Sequence, residues 1–88
     1  MAKAFNPQVV VSVPRSYSGE FSKHVCGGYI RKTYGTYAEL KKQIKVLLEV
    51  SDDNEVSVYR HRRGEWGEWY EKWAMINGKP KIFKEGWS

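Results

Sequence analysis

The apolar positions change period twice within the first fifty residues. QVVVSV is β-branched, alternates at its end and is closed by Pro14, which predicts a strand over 8–13. Residues 1–7 carry no such pattern and read as a flexible leader, ahead of a single domain over 8–88. Ser16-Tyr17-Ser18-Gly19 is turn chemistry. FSKHVC and YIRKTY flank Gly27-Gly28 and both read as strand; one long strand with a glycine bulge is the preferred reading, two short strands the alternative. From Thr36 the period becomes helical. Thr36 and Glu39 make the T-x-x-E spacing of a capping box, and Tyr37, Leu40, Ile44, Leu47 and Leu48 then fall on one stripe. Lys41, Lys42, Lys45 and Glu49 lie off that stripe, as a solvated helix back would, and Ser51-Asp52-Asp53-Asn54 ends the helix.

The C-terminal third predicts three strands in a meander. Asn77-Gly78 between WAMI and KPKIF is a type I′ hairpin signal, because both central residues must take positive φ. That turn sets Ile76 opposite Lys79, Trp73 opposite Ile82, Lys72 opposite Phe83 and Trp69 opposite Gly86. Gly64 and Gly67 bracket the preceding hairpin. Centring it on Glu65-Trp66 pairs Arg63 with Glu68, Arg62 with Trp69, Arg60 with Glu71 and Val58 with Trp73, matching opposite charges and apolar partners together. A turn at Gly64-Glu65 would also satisfy the glycines.

Alternation then sorts the side chains. One face collects Val56, Val58, Trp73, Met75 and Ile82, where the helix stripe should pack, with Arg60, Glu71 and Lys84 in a row at its outer end. The other face collects Tyr59, His61, Arg63, Tyr70, Lys72, Phe83 and Trp87, interrupted by Glu68 and Glu85. The predicted fold is α+β in the order ββαβββ, one helix on a mostly antiparallel sheet, an order that a β-grasp-like arrangement would fit.

Composition narrows the setting. Fifteen Lys and Arg against ten Asp and Glu give a net charge of +5, which leans toward anionic partners. The single cysteine, Cys26, excludes an internal disulfide framework and a thiolate-rich zinc site, and fits a cytoplasmic setting. The longest apolar run near the N-terminus is too short for a signal-peptide core, and no segment approaches the length of a membrane span, so no membrane partner is expected. No metal or cofactor is expected either. His24 and Cys26 would share a strand face roughly 7 Å apart, too far for a direct thiol–imidazole pair, and Cys26 reads as a small buried hydrophobe.

The aromatic and cationic face is the candidate site. Tyr59, His61, Arg63, Tyr70, Lys72, Phe83 and Trp87 interleave rings with cations, which suits a protein interface or stacked bases with neutralised phosphates. Glu68 and Glu85 count against a pure phosphate surface, so the first expectation is a non-enzymatic protein that docks onto a protein or nucleoprotein complex. Direct binding of single-stranded nucleic acid (RNA) is the alternative. A metal-independent ribonuclease is the third, with His61, Tyr70 and Glu85 in one cross-strand row beside Arg60 and Arg63. In general character the chain resembles phage or mobile-element proteins that inhibit a host machine by binding it, a likeness of type that rests on no motif.

Overall fold

A computed structural model describes residues 6–61 and 67–87. Strands β1 (Gln8–Ser12), β2 (Val25–Cys26), β3 (Tyr29–Thr33), β4 (Val56–Arg60), β5 (Trp69–Ile76) and β6 (Lys79–Trp87) and helix α1 (Tyr37–Val50) follow in the order βββαβββ, with a short 3₁₀ turn at Ser22–His24 before β2. The strands form one sheet, ordered β2-β3-β1-β4-β5-β6, and every neighbouring pair is antiparallel. The helix packs on one face only, which is the α+β architecture the periodicity predicts. No helix among the described residues is long and apolar enough to cross a membrane.

The helix forms where its signals stand. Thr36 caps it, its Oγ1 accepting from the Glu39 backbone N–H at 3.1 Å, and Leu40, Ile44, Leu47 and Leu48 are buried. They pack on Val9, Val11, Val56 and Val58, so the alternation of β1 and β4 points one set of valines at the helix. Phe21, Ile30 and Tyr34 complete this core, and Trp73 and Met75 pack against its margin. Burying each such side chain contributes about 1.5–3 kcal/mol. Ahead of β1, the Pro7 carbonyl accepts from the Tyr34 N–H at 2.9 Å.

Three registers differ from expectation. The stretch over 20–34 is not one bulged strand: Gly27 (φ +61) and Gly28 (φ +85) both adopt the left-handed region and form the turn of a β2–β3 hairpin. His24 therefore sits in the 3₁₀ turn while Cys26 is in β2, so the two share no strand, and Cys26 is exposed rather than buried. Between β4 and β5, Val56 pairs with Trp73 and Val58 with Glu71, two places from the Glu65-Trp66 centring and as a Gly64-Glu65 centring would pair them. A shift of two preserves every face. The predicted pairs of Arg62 and Arg63 lie outside the described residues.

The third difference does change faces. From Asn77 (φ +52) and Gly78 (φ +76) the β5–β6 ladder runs as predicted through Trp73 opposite Ile82, then shifts by one residue at Phe83. Beyond this β-bulge Lys72 faces Lys84, Tyr70 faces Gly86 and Trp69 faces Trp87. The last turn of alternation is thereby inverted: Glu85 and Trp87 move to the helix side, and Lys84 moves to the opposite side. The shift sets the Trp87 ring edge-on to Trp69, centroids 4.9 Å apart.

Candidate functional site

Two constellations result, one on each face. On the helix side, Glu71 is a buried carboxylate, 2% exposed. Its Oε1 accepts from the Tyr37 hydroxyl at 2.5 Å and from Trp73 Nε1 at 3.2 Å. Its Oε2 accepts from Arg60 Nε and Nη2 at 3.3 and 3.1 Å and from Trp69 Nε1 at 3.2 Å. The Arg60 guanidinium also lies 4.0 Å from the centre of the Tyr37 ring. Five donor atoms converge on one carboxylate, as burial of a charge requires. Burial, and next the hydrogen bond to Glu71, raise the Tyr37 phenol pKa above its ordinary value. With its lone pairs taken, Glu71 is badly placed to act as a general base, and its chemistry is to clamp the first turn of α1 to β4 and β5.

The face opposite the helix is built by the complementary alternation. The register places Tyr29, Arg31 and Thr33 of β3, Gln8, Val10 and Ser12 of β1, Ser57 and Tyr59 of β4, and Tyr70, Lys72 and Ala74 of β5 on it. From β6 it receives Lys79, Lys81, Lys84 and Gly86. No second helix lies over this face among the described residues. Tyr59 and Tyr70 are direct cross-strand partners, and the Tyr70 ring lies across Gly86, about where a Cβ would be met at 3.5 Å. Tyr29 is 43% exposed at the far end of the face.

Charge on this face is one-sided. Lys72 and Lys84 stand directly opposite one another, and neither makes an ion pair with a described residue. Arg31, Lys79 and Lys81 add to them, while the strand positions of the face hold no carboxylate. Glu55 and Glu68 are the nearest acids along the chain, each one residue outside β4 and β5.

The predicted site residues divide accordingly. Tyr59, Tyr70 and Lys72 share the open face as expected. His61 is the half-buried residue that follows β4, and Arg63 lies outside the described residues. Phe83 is the extra residue of the bulge, 47% exposed, and has no direct partner in β5. Trp87 belongs to the helix side with Trp69, a correction that follows from the bulge. Glu85 stands opposite Glu71, so the cross-strand row of His61, Tyr70 and Glu85 does not form. Sequence reasoning missed Tyr29, Arg31, Lys79, Lys81 and Lys84. Alternation in YIRKT, read against the buried Ile30, would have found the first two; the β6 lysines needed the bulge.

No protein-family model, curated protein or solved structure matches the chain.

Proposed function

We propose that this is a non-enzymatic binding protein that docks, through the sheet face opposite its helix, onto the polyanionic surface of a nucleoprotein partner. The observation that carries the reading is the Lys72–Lys84 pair. Like charges directly opposite on a sheet are destabilising, and here no described carboxylate offsets them. An anion arriving from outside removes that repulsion and gains charge-assisted hydrogen bonds. With Glu85 on the other face, the objection that its charge would repel phosphate falls away.

Retention on immobilised heparin, a sulfated polyanion, tests this against net charge alone. Lys72→Glu with Lys84→Glu should elute at clearly lower salt than Lys42→Glu with Lys45→Glu, which makes the same change in net charge on the exposed back of α1. Equal elution of the two double variants would remove the open face from the function.

A second reading rests on Ile82, Phe83 and Trp87, which are 37%, 47% and 44% exposed along β6. Exposed rings of this kind serve protein interfaces, and they would meet the protein component of the same complex. A partner retained after nuclease treatment, and lost with Trp87→Ala but not with the Lys72 and Lys84 changes, would make this the principal surface.

A further inference from the structure

We infer that the open face recognises a single strand of nucleic acid, its sugar–phosphate backbone following the lysines of β6 and its bases stacking on Tyr70 and Tyr59. This rests on the reading of the face as a polyanion surface and names the polyanion.

The cations and the rings are segregated. Lys79, Lys81 and Lys84 lie along one strand on one face, with Lys72 beside Lys84 on β5. Lys79 and Lys81 are two residues apart, so their attachment points repeat at about 6.6 Å along β6, a row that an extended backbone can track. The rings stand at one end of this row, toward the interior of the sheet. Tyr70 is two residues from Lys72 on the same strand, and Tyr59 is its cross-strand partner on β4. Gly86 flanks Tyr70 on the β6 side, so no side chain separates this ring from the lysine row, and Gln8 flanks Tyr59 on the other. A phosphate held by Lys72 and Lys84 would place the attached base over Tyr70, and the next base would reach Tyr59.

Arg31 extends the Lys72–Lys84 row across Ser57 and Val10, three strands from Lys72 and thus roughly 14 Å away. It would meet the strand again beyond the two stacked bases. The footprint is then a few nucleotides, at the low end of the range of about 4–16 that sheet-based single-strand binders cover.

Duplex fits this arrangement poorly. Its bases already stack on one another and offer the tyrosines no free faces. The major groove, about 12 Å wide, admits a helix or a two-stranded ribbon and not the face of a broad sheet. Neither heparin nor polyphosphate has a base to stack. The tyrosines are therefore the feature that separates a nucleic-acid strand from other polyanions.

The test is fluorescence anisotropy of a labelled single-stranded oligouridylate of about a dozen nucleotides binding the full chain. The same measurement follows on a duplex of equal length, with inorganic polyphosphate as competitor. The single strand should bind at least about ten-fold tighter than the duplex. Tyr70→Leu and Tyr59→Leu keep apolar bulk over the sheet and remove the π face. Each should weaken strand binding by about 10- to 100-fold while leaving heparin retention unchanged. Lys84→Gln should reduce the slope of log affinity against log salt by about 0.7, one phosphate contact's share.

Circular dichroism melts of each variant separate lost contacts from lost folding. Equal affinity for single strand and duplex, or tyrosine variants that bind as the parent does, would overturn this inference and leave the polyanion reading standing. Failure to bind either the oligonucleotide or heparin would overturn both.

Discussion

Replacing Glu71 with glutamine changes one atom and tests whether the buried carboxylate is saturated as its geometry indicates. The amide nitrogen must take one of two places. On the Oε2 side it would meet three donors, Arg60 Nε, Arg60 Nη2 and Trp69 Nε1. On the Oε1 side it would meet the Tyr37 hydroxyl, which can turn and accept, and Trp73 Nε1, which cannot. The second placement is the less costly, and it still strands one indole N–H, at about 1–3 kcal/mol. Loss of charge opposite Arg60, whose side chain is 24% exposed, weakens those bonds by about 1 kcal/mol more. The sum is about 2–4 kcal/mol, and in a domain of this size it lowers the melting temperature by on the order of 10–30 °C. Thermal unfolding followed by circular dichroism and by tryptophan fluorescence reads it directly. Glu85→Gln, exposed and opposite Glu71 on β6, is the control and should change stability by less than about 0.5 kcal/mol. A Glu71→Gln protein within about 1 kcal/mol of the parent would refute the account of the cluster.

Thr36→Ala removes the cap acceptor of the Glu39 N–H and should cost about 1 kcal/mol in urea unfolding, with an unchanged m-value. Gly78→Ala meets no neighbouring atom but must hold φ near +76, so a loss of about 1 kcal/mol or more is expected from backbone strain alone. The buried Tyr34 hydroxyl has no hydrogen-bond partner among the described residues, so Tyr34→Phe should be neutral or stabilise by up to about 1 kcal/mol; a clear loss in the melt would point to a bond that this geometry does not contain. Because the folded chain holds the Tyr37 proton above the ordinary phenol pKa of 10.0, the unfolded chain releases it first. Stability should therefore fall as pH rises past that value. Melts between about pH 9 and about pH 11 should show a shallower decline in Tyr37→Phe than in the parent, and identical slopes would contradict the assignment.

What could be read from the chain was what local chemistry decides. The helix bounds follow from Thr36, Glu39 and a stripe of leucines and isoleucine, all within one segment. The Asn77-Gly78 turn follows from two residues that tolerate positive φ. Gly27-Gly28 was ambiguous because paired glycines serve a bulge and a hairpin turn equally well; the pairing of β2 with β3 decides between them. The placement of Glu85 and Trp87 was illegible for a stronger reason. Phe83 carries no bulge signature, and the contact of Trp87 with Trp69 that accompanies the shift joins residues far apart in sequence. Uninterrupted alternation through Phe83 puts Trp87 on the open face and Lys84 on the helix side, the reverse of where the bulge sets them. Glu71 was legible as a partner for Arg60 but not as buried, since two of its other donors sit two residues away on its own strand and a third comes from the helix.

The bulge also bears on how the chain tolerates changes of length. A deletion of Phe83 would leave Lys84 opposite Lys72, Gly86 opposite Tyr70 and Trp87 opposite Trp69, as they stand now, on an uninterrupted ladder. The lysine face would keep its chemistry, so a one-residue gap at this point is silent for polyanion binding, although it removes the exposed Phe83 ring from β6. It is not silent for association between copies. β6 is the last strand of the sheet among the described residues and nine residues long, and bulges bend such edge strands out of line with a second copy. The shortened chain would present a flatter edge, protected only by Pro80 and its lysines, and would be the form more prone to pair strand to strand and aggregate as its concentration rises.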